Sequence, residues 1–161
     1  MDQSACREQF AALLSQESGA LDTLAGLLER EHALLVANDV AALETAMAER
    51  QTCVGALLRI EDERRSMCRM LGHTADAAGL DRLLTWCDPR GTLKSRWADC
   101  ATRGTRCRDL NDRNGALVIA RMKRVETLLG ALTGRPGEAP TYGPTGNSTA
   151  SRAGSVLTTQ A

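Results

Sequence analysis

The sequence predicts an all-α protein, an antiparallel coiled-coil bundle of three long helices and a short one, followed by a disordered C-terminal tail. Hydrophobic residues make up 43% of the 161-residue chain and aromatic residues only 2%, a composition that suits helices better than strands. Apolar residues also recur at alternating spacings of three and four, the heptad pattern of helices that pack lengthwise. The length is enough for one domain with a modest core.

The first helix is predicted from about Ala5 to Ala37. Leucines seven residues apart lie along its apolar stripe. They are Leu14, Leu21, Leu28 and Leu35. The helix should break at Asn38-Asp39, where the Asp39 carboxylate can accept hydrogen bonds from the first turn of the next helix. A connection this short makes the first two helices antiparallel neighbours.

The second helix is predicted from Val40 to about Leu71. The row of positions expected to face the other helices is Val40, Leu43, Met47, Val54, Leu57, Cys68 and Leu71. Arg50, Glu61 and Arg64 stand where apolar residues are expected, and the last two are spaced to pair on one face. Gly and Pro interrupt the pattern from 72 to 91, which leaves room for one short helix over about 80–86.

The longest helix is predicted from Leu93 to Leu132, with Thr92 as its cap. Its facing row is Leu93, Trp97, Cys100, Gly104, Cys107, Val118, Val125, Leu128 and Leu132. Asn111 and Asn114 interrupt this row. Amides at such positions lower stability but fix register, because each must find a hydrogen-bond partner on a neighbouring helix.

The composition changes abruptly after Leu132. Of the 29 residues from 133 to 161, 17 are Gly, Pro, Ser or Thr. Such a segment cannot bury enough apolar surface to offset the entropy lost on ordering. We therefore expect a helical bundle domain over 1–134 and a flexible tail over 135–161, with the only tyrosine, Tyr142, in the tail.

Charge is unevenly distributed although the net charge is zero. Residues 1–89 have eight basic and 15 acidic side chains, a net charge of −7, and residues 90–135 have 11 and four, a net charge of +7. The simplest explanation is that the two parts pack on each other. A nucleic-acid surface on the basic helix is an alternative, although acidic residues dilute it and no aromatic stacking platform accompanies it.

No catalytic or metal-binding pattern stands out. Glu29-x-x-His32 has the spacing of a di-iron site, but no second copy exists, so we interpret His32 as an ordinary surface residue. Four of the six cysteines have helical core spacing and are expected to be small reduced core residues of a cytoplasmic protein. These are Cys53, Cys68, Cys100 and Cys107. We expect no enzyme activity, no cofactor, no metal, no signal peptide and no membrane span.

Three features together resemble the FlgN family of flagellar type III export chaperones. The Leu-rich first helix passes through Ala37-Asn38-Asp39-Val40-Ala41-Ala42-Leu43 into a second helix that contains Arg64-Arg65. The long helix carries Asn111-x-x-Asn114 followed by Leu117-Val118-Ile119, and the tail contains Tyr142-Gly143-Pro144-Thr145-Gly146. The resemblance covers nearly the full length, except for a divergent stretch over 71–92.

The resemblance implies a cytoplasmic chaperone, without catalysis or cofactor, for the hook-filament junction proteins FlgK and FlgL. It would bind their C-terminal helices, keep them unpolymerised and deliver them to the export-gate component FlhA, with Tyr142 as the gate-docking residue. An amphipathic client helix in an apolar groove is the expected recognition mode. The expected client-binding residues are Asn111, Asn114, Leu117, Val118, Arg121, Val125, Leu128, Leu129 and Leu132. A purely structural coiled-coil dimer is the other alternative.

Overall fold

The computed structural model of the chain describes residues 2–134. These form four helices and no strand: α1 (Gln3–Ala37), α2 (Val40–Met70), α3 (Ala77–Cys87) and α4 (Thr92–Thr133). The predicted all-α class is confirmed, and every helix end lies within about three residues of its predicted position. The predicted tail, 135–161, lies outside the described residues, so the domain boundary after residue 134 stays a prediction.

The chain divides into two compact units, Met1–Ala120 and Arg121–Ala161. The first unit contains α1, α2, α3 and the greater part of α4. Of the second unit the structure describes 121–134, which is the end of α4 and one turn residue.

The break between α1 and α2 is built as predicted. Asn38 adopts the left-handed conformation at φ 59°, which short amide side chains tolerate and which ends α1. Asp39 then caps α2, because its carboxylate accepts from the Ala42 amide at 3.1 Å. Two residues therefore reverse the chain.

The start of α4 differs from the prediction. Thr92, the expected cap, is instead the first helical residue. The cap is supplied by Asp88, whose Oδ2 accepts from the Leu93 amide at 2.7 Å. A turn over 88–91, with Gly91 at φ 74°, places this carboxylate at the N-terminal end of α4. Asp88 is buried, and Arg7 Nε lies 3.5 Å from its Oδ1.

The core of the first unit is centred on α1. Phe10, Leu14 and Leu28 are almost completely buried, and Leu21 is buried as well, so the predicted leucine stripe is confirmed over most of its length. Residues from the other helices complete a single cluster of buried side chains. Among them are Ile60, Met67, Leu80, Leu83, Leu84, Cys87, Leu93, Cys100 and Cys107.

The facing row of α2 is only partly the predicted one. Val40 and Met47 are 61% and 48% exposed, whereas Ala46 and Ile60, which the prediction left out, are buried. The positions of α2 that are buried or contact the core or α1 are Ala46, Arg50, Cys53, Leu57, Ile60, Arg64, Met67, Cys68 and Leu71. The prediction was therefore wrong for Val40 and Met47 and right for Leu57, Cys68 and Leu71. Arg50 and Arg64, which were predicted to stand in this row, pair with glutamates of α1, and the predicted pair of Glu61 and Arg64 is confirmed.

Side-chain contacts give the directions of the helices in the first unit. Arg64 pairs with Glu17 and Arg30 with Glu49, so α2 runs antiparallel to α1. Side chains of α4 donate to carbonyl oxygens of α1, and each of these pairs is separated by 86 residues, so α4 runs parallel to α1. The donors and acceptors are Cys100 and Leu14, Cys107 and Leu21, and Asn114 and Leu28.

Ion pairs between the helices account for the uneven charge. Arg103 of α4 pairs with Asp22 of α1, and Arg106 pairs with Glu29 at 2.7 Å. Such exposed pairs contribute only about 0.2–1 kcal/mol each. They confirm that the acidic and basic parts of the chain pack on each other.

Candidate functional site

The end of α4 presents an apolar surface in the second unit. We call it the apolar stripe and define it as Met122, Val125, Leu128, Leu129 and Leu132. The spacings of three and four place these side chains on one side of the helix. Each is more than half exposed, and Leu132 reaches 83%. Single exposed apolar residues are ordinary, but a contiguous set indicates a binding surface.

The opposite side of this segment is polar. Lys123 and Thr127 are exposed there, and Arg124 is exposed at the flank of the stripe. The helix from 121 to 133 is therefore amphipathic, and its apolar side remains open to solvent in the described part of the chain. A helix of this kind is completed by another apolar helix face.

Most of the predicted apolar site residues lie together on this stripe. Val125, Leu128, Leu129 and Leu132 are members of it. The prediction missed Met122. The signal for Met122 is its place in the series 118, 122, 125, 129 and 132, which has the same spacings of three and four as the predicted series through Leu128.

The remaining predicted site residues on α4 differ in exposure. In the first unit Val118 is 39% exposed and Leu117 is half-buried. In the second unit Arg121 is half-buried. Tyr142 lies outside the described residues. A role of any of these in binding stays a prediction.

Asn114 is buried in the first unit, with 6% of its surface exposed. Its Nδ2 donates to the Leu28 carbonyl at 2.8 Å, and its Oδ1 lies 3.0 Å from His32 Nδ1. Because the carbonyl can only accept, the amide nitrogen must face it, and Nδ1 of His32 then carries the proton.

The interpretation of His32 as an ordinary surface residue was wrong. The side chain is half-buried and is bonded to Asn114. Its partner lies 82 residues away along the chain, so no local pattern around His32 could have revealed the contact. His32 therefore helps to hold α4 on α1.

Asn111 is exposed but also contacts a neighbouring helix. Its Oδ1 accepts from Arg50 Nη1 at 3.2 Å, and Arg50 Nε lies 3.0 Å from Glu31 Oε1. Glu31 is buried, and burial raises the pKa of its carboxyl group while the positive charge of Arg50 opposes that rise. The prediction that both asparagines bond to neighbouring helices is confirmed, while their part in client binding stays untested.

Different stability effects are expected for the two asparagines. Asn114→Ala should lower the free energy of unfolding by about 1–3 kcal/mol, because it removes two hydrogen bonds and leaves buried polar groups unpaired. Asn111→Ala should cost less than about 1 kcal/mol, since Arg50 can then bond to water. Urea unfolding followed by circular dichroism gives both values. Equal losses would show that burial of Asn114 has no energetic consequence.

The cysteines are mostly core residues. Cys68, Cys100 and Cys107 are buried free thiols as predicted, and Cys53 is half-buried. Cys6 and Cys87 are buried too, and burial raises the pKa of the Cys6 thiol to about 12. In residues 2–134, no three His, Cys, Asp or Glu side chains are grouped so as to hold a metal ion. None of the described helices is long and apolar enough to cross a membrane.

One comparison with known proteins gives a match. The sequence model of a family described as FlgN protein matches residues 1–150 of the chain. No curated protein and no solved structure matches significantly.

Proposed function

The chain belongs to the FlgN family of flagellar export chaperones, and on that basis we propose that it is a cytoplasmic chaperone for FlgK- and FlgL-like hook-filament junction proteins. It binds their C-terminal helices, prevents their premature assembly and delivers them to the export gate through FlhA. The observation that carries the proposal is the apolar stripe, Met122, Val125, Leu128, Leu129 and Leu132, a helical face that is more than half exposed at each position.

The size of the stripe suits a complex that must release its client. Full burial of one such side chain is worth about 1.5–3 kcal/mol, and these are already partly covered, so each adds about 1 kcal/mol. Five of them supply about 5 kcal/mol of binding free energy, before the entropy cost of ordering the client and the helix is subtracted. A micromolar complex needs about 8 kcal/mol. A micromolar complex therefore needs further contacts between the client and the chain.

Titration with client peptides tests the proposal. Synthetic C-terminal segments of the FlgK and FlgL proteins from the same bacterium are titrated into the full chain by isothermal calorimetry. We expect saturable binding with a negative heat-capacity change, the mark of apolar burial. The full chain should also keep the junction protein monomeric in sedimentation. The proposal fails if neither client binds.

The stripe equally favours one alternative, a structural dimer in which two copies cover each other's apolar faces. Sedimentation of the pure chain separates the two functions. A chaperone without its client remains monomeric at micromolar concentration and shifts on client addition, whereas a structural dimer is already associated. The nucleic-acid alternative is less favoured, because Arg103 and Arg106 are already paired with acidic residues of α1. DNA binding with a steep salt dependence would be the result that supports it.

Tyr142 is proposed as the docking residue for the export gate. A tyrosine ring offers a large apolar face and a hydroxyl group, and binding immobilises few of its side-chain rotations. The neighbouring Pro140 and Pro144 reduce the backbone entropy that is lost on binding. Tyr142→Ala should weaken binding to the cytoplasmic domain of FlhA at least tenfold, about 1.4 kcal/mol. Melting temperature and client affinity should stay unchanged. A lower melting temperature with FlhA binding intact would make Tyr142 a structural residue.

A further inference from the structure

The charged side chains in the described part of the second unit lie at one end of its helix. Residues 121–126 have a net charge of +2, because they contain three basic side chains and one acidic one. These are Arg121, Lys123, Arg124 and Glu126. Residues 127–134 contain no charged side chain. The apolar stripe therefore has a positively charged end and an uncharged end.

Arg124 is the cation best placed to contact a partner on the stripe. It is exposed at the flank of the stripe, next to Val125 in sequence and one helical turn before Leu128. Its long apolar stem can lie along the stripe while its guanidinium binds a carboxylate. Lys123 lies on the opposite side of the helix and Arg121 is half-buried, so these two add to the local positive potential.

The uncharged end of the stripe coincides with the C-terminal end of α4. The last carbonyl groups of a helix give that end a partial negative charge. No basic side chain lies in the last turn of α4 to offset it. Gly134 follows with φ 67°, the left-handed conformation in which many helices end. The stripe thus runs from cationic side chains to a partly negative helix end.

A helical partner matches this polarity only when it runs antiparallel to α4. The C-terminal end of a helix is partly negative, and acidic side chains or a free α-carboxylate there add full charges. An antiparallel partner places this end beside Arg124 and its partly positive N-terminal end beside the last carbonyl groups of α4. A parallel partner instead brings two negative helix ends together and leaves Arg124 beside a positive one.

We propose that the apolar stripe binds an amphipathic helix antiparallel to α4, with the negatively charged C-terminal end of the partner beside Arg124. The partner has an apolar face that ends close to acidic residues or to a free α-carboxylate. The inference rests on the proposed function for the identity of the natural partner. It adds the direction of the bound helix and the charge at its end.

A synthetic probe helix measures the direction of binding. The probe has about 18 residues, enough to span the stripe at 1.5 Å per residue. It has leucines along one face, two glutamates in its last turn, a free α-carboxylate and nitrogen-15 in its backbone. A spin label is attached to the full chain through an unnatural side chain at Ala131, which is exposed and outside the stripe. The native cysteines stay untouched.

The spin label should broaden the NMR signals of the N-terminal half of the probe. That half lies at the uncharged end of the stripe when the probe runs antiparallel to α4. Stronger broadening of the C-terminal half would overturn the proposal, and so would equal broadening of both halves. Absence of probe binding would overturn it as well, because the stripe would then not be a surface for helices of this kind.

Substitution of Arg124 tests the charge contact. Arg124→Gln should weaken probe binding at least threefold, and Arg124→Lys should restore most of the affinity because it keeps the positive charge. The matched control, Arg113→Gln, removes one exposed cation from α4 in the first unit and should leave the affinity unchanged. A probe with glutamines and an amidated C-terminus should not respond to Arg124→Gln. Equal affinity of wild type and Arg124→Gln for the acidic probe would overturn the proposal.

The same measurements on a FlgK C-terminal peptide separate this inference from the proposed function. If the probe binds antiparallel while neither the FlgK nor the FlgL peptide binds, the inference stands and the proposed function fails. If the FlgK peptide binds with its C-terminal half beside Ala131, the proposed function stands and the inference is overturned.

Discussion

The Val125→Asp/Leu128→Asp variant is expected to bind FlgK-like client peptide at least 100-fold more weakly than the wild type, a loss of about 2.7 kcal/mol. Val125 and Leu128 are 55% and 56% exposed, so a client helix on the stripe must cover them. Each aspartate would lose its hydration on contact with an apolar client face that offers no partner for its charge, and this desolvation opposes binding. Calorimetric titration measures the affinity.

A matched control is available on the same helix. Thr127→Asp/Ala131→Asp adds the same two charges at exposed positions outside the stripe. Both variants should retain the wild-type helix content by circular dichroism, and the control should bind client within about threefold of the wild type. If the control loses as much affinity as the test variant, charge and not the stripe is responsible. Wild-type binding by the test variant would place the client groove elsewhere.

The Gly79→Ala variant is expected to be destabilised by about 2–3 kcal/mol, with a melting temperature lower by about 10 °C. A Cβ at Gly79 would lie 2.6 Å from Thr74 Oγ1, 2.7 Å from the Thr74 carbonyl carbon and closer still to its oxygen. That turn cannot shift freely, because Thr74 donates to Asp76 at 2.6 Å and accepts from Arg82 at 3.0 Å. Thermal unfolding gives the change.

Gly26→Ala is the control for this substitution. A Cβ at Gly26 in α1 would meet nothing within 4 Å, so the change should stabilise the chain by about 0.5–1 kcal/mol through the lower backbone entropy of the unfolded state. Opposite signs at the two glycines are the expected result. A neutral Gly79→Ala variant would mean that the Thr74 turn gives way at little cost.

Local patterns were enough to predict the helices and the α1–α2 turn. The cap formed by Asp39 and the apolar stripe of α1 depend on residues only a few positions apart, so both can be predicted from the local sequence. The partners of the α2 arginines could not be predicted in the same way. Heptad spacing placed Arg50 and Arg64 in the facing row, but the α1 glutamates that pair with them are 19 and 47 residues away along the chain, and no neighbouring residue identifies those glutamates.

The candidate site shows the same limit. Heptad spacing was enough to place Val125, Leu128, Leu129 and Leu132 on one surface. The same spacing also predicted that Val125, Leu128 and Leu132 face the other helices, which was wrong because they are more than half exposed. Buried and exposed apolar positions follow the same pattern, so spacing alone could not separate them. Asn114 is buried and Asn111 exposed although they are three residues apart, and only their positions relative to α1 and α2 explain the difference.

The burial of the thiols gives the chain an internal reporter of unfolding. Only the thiolate reacts with alkylating reagents, and the pKa of Cys6 is raised from 9.0 to about 12, so its reactive fraction at neutral pH falls about 1000-fold. Cys6 is also fully shielded at the start of α1. Iodoacetamide therefore modifies Cys6 mainly in molecules in which the start of α1 has opened, and the rate of mass increase at Cys6 reports those openings without a label introduced by mutation.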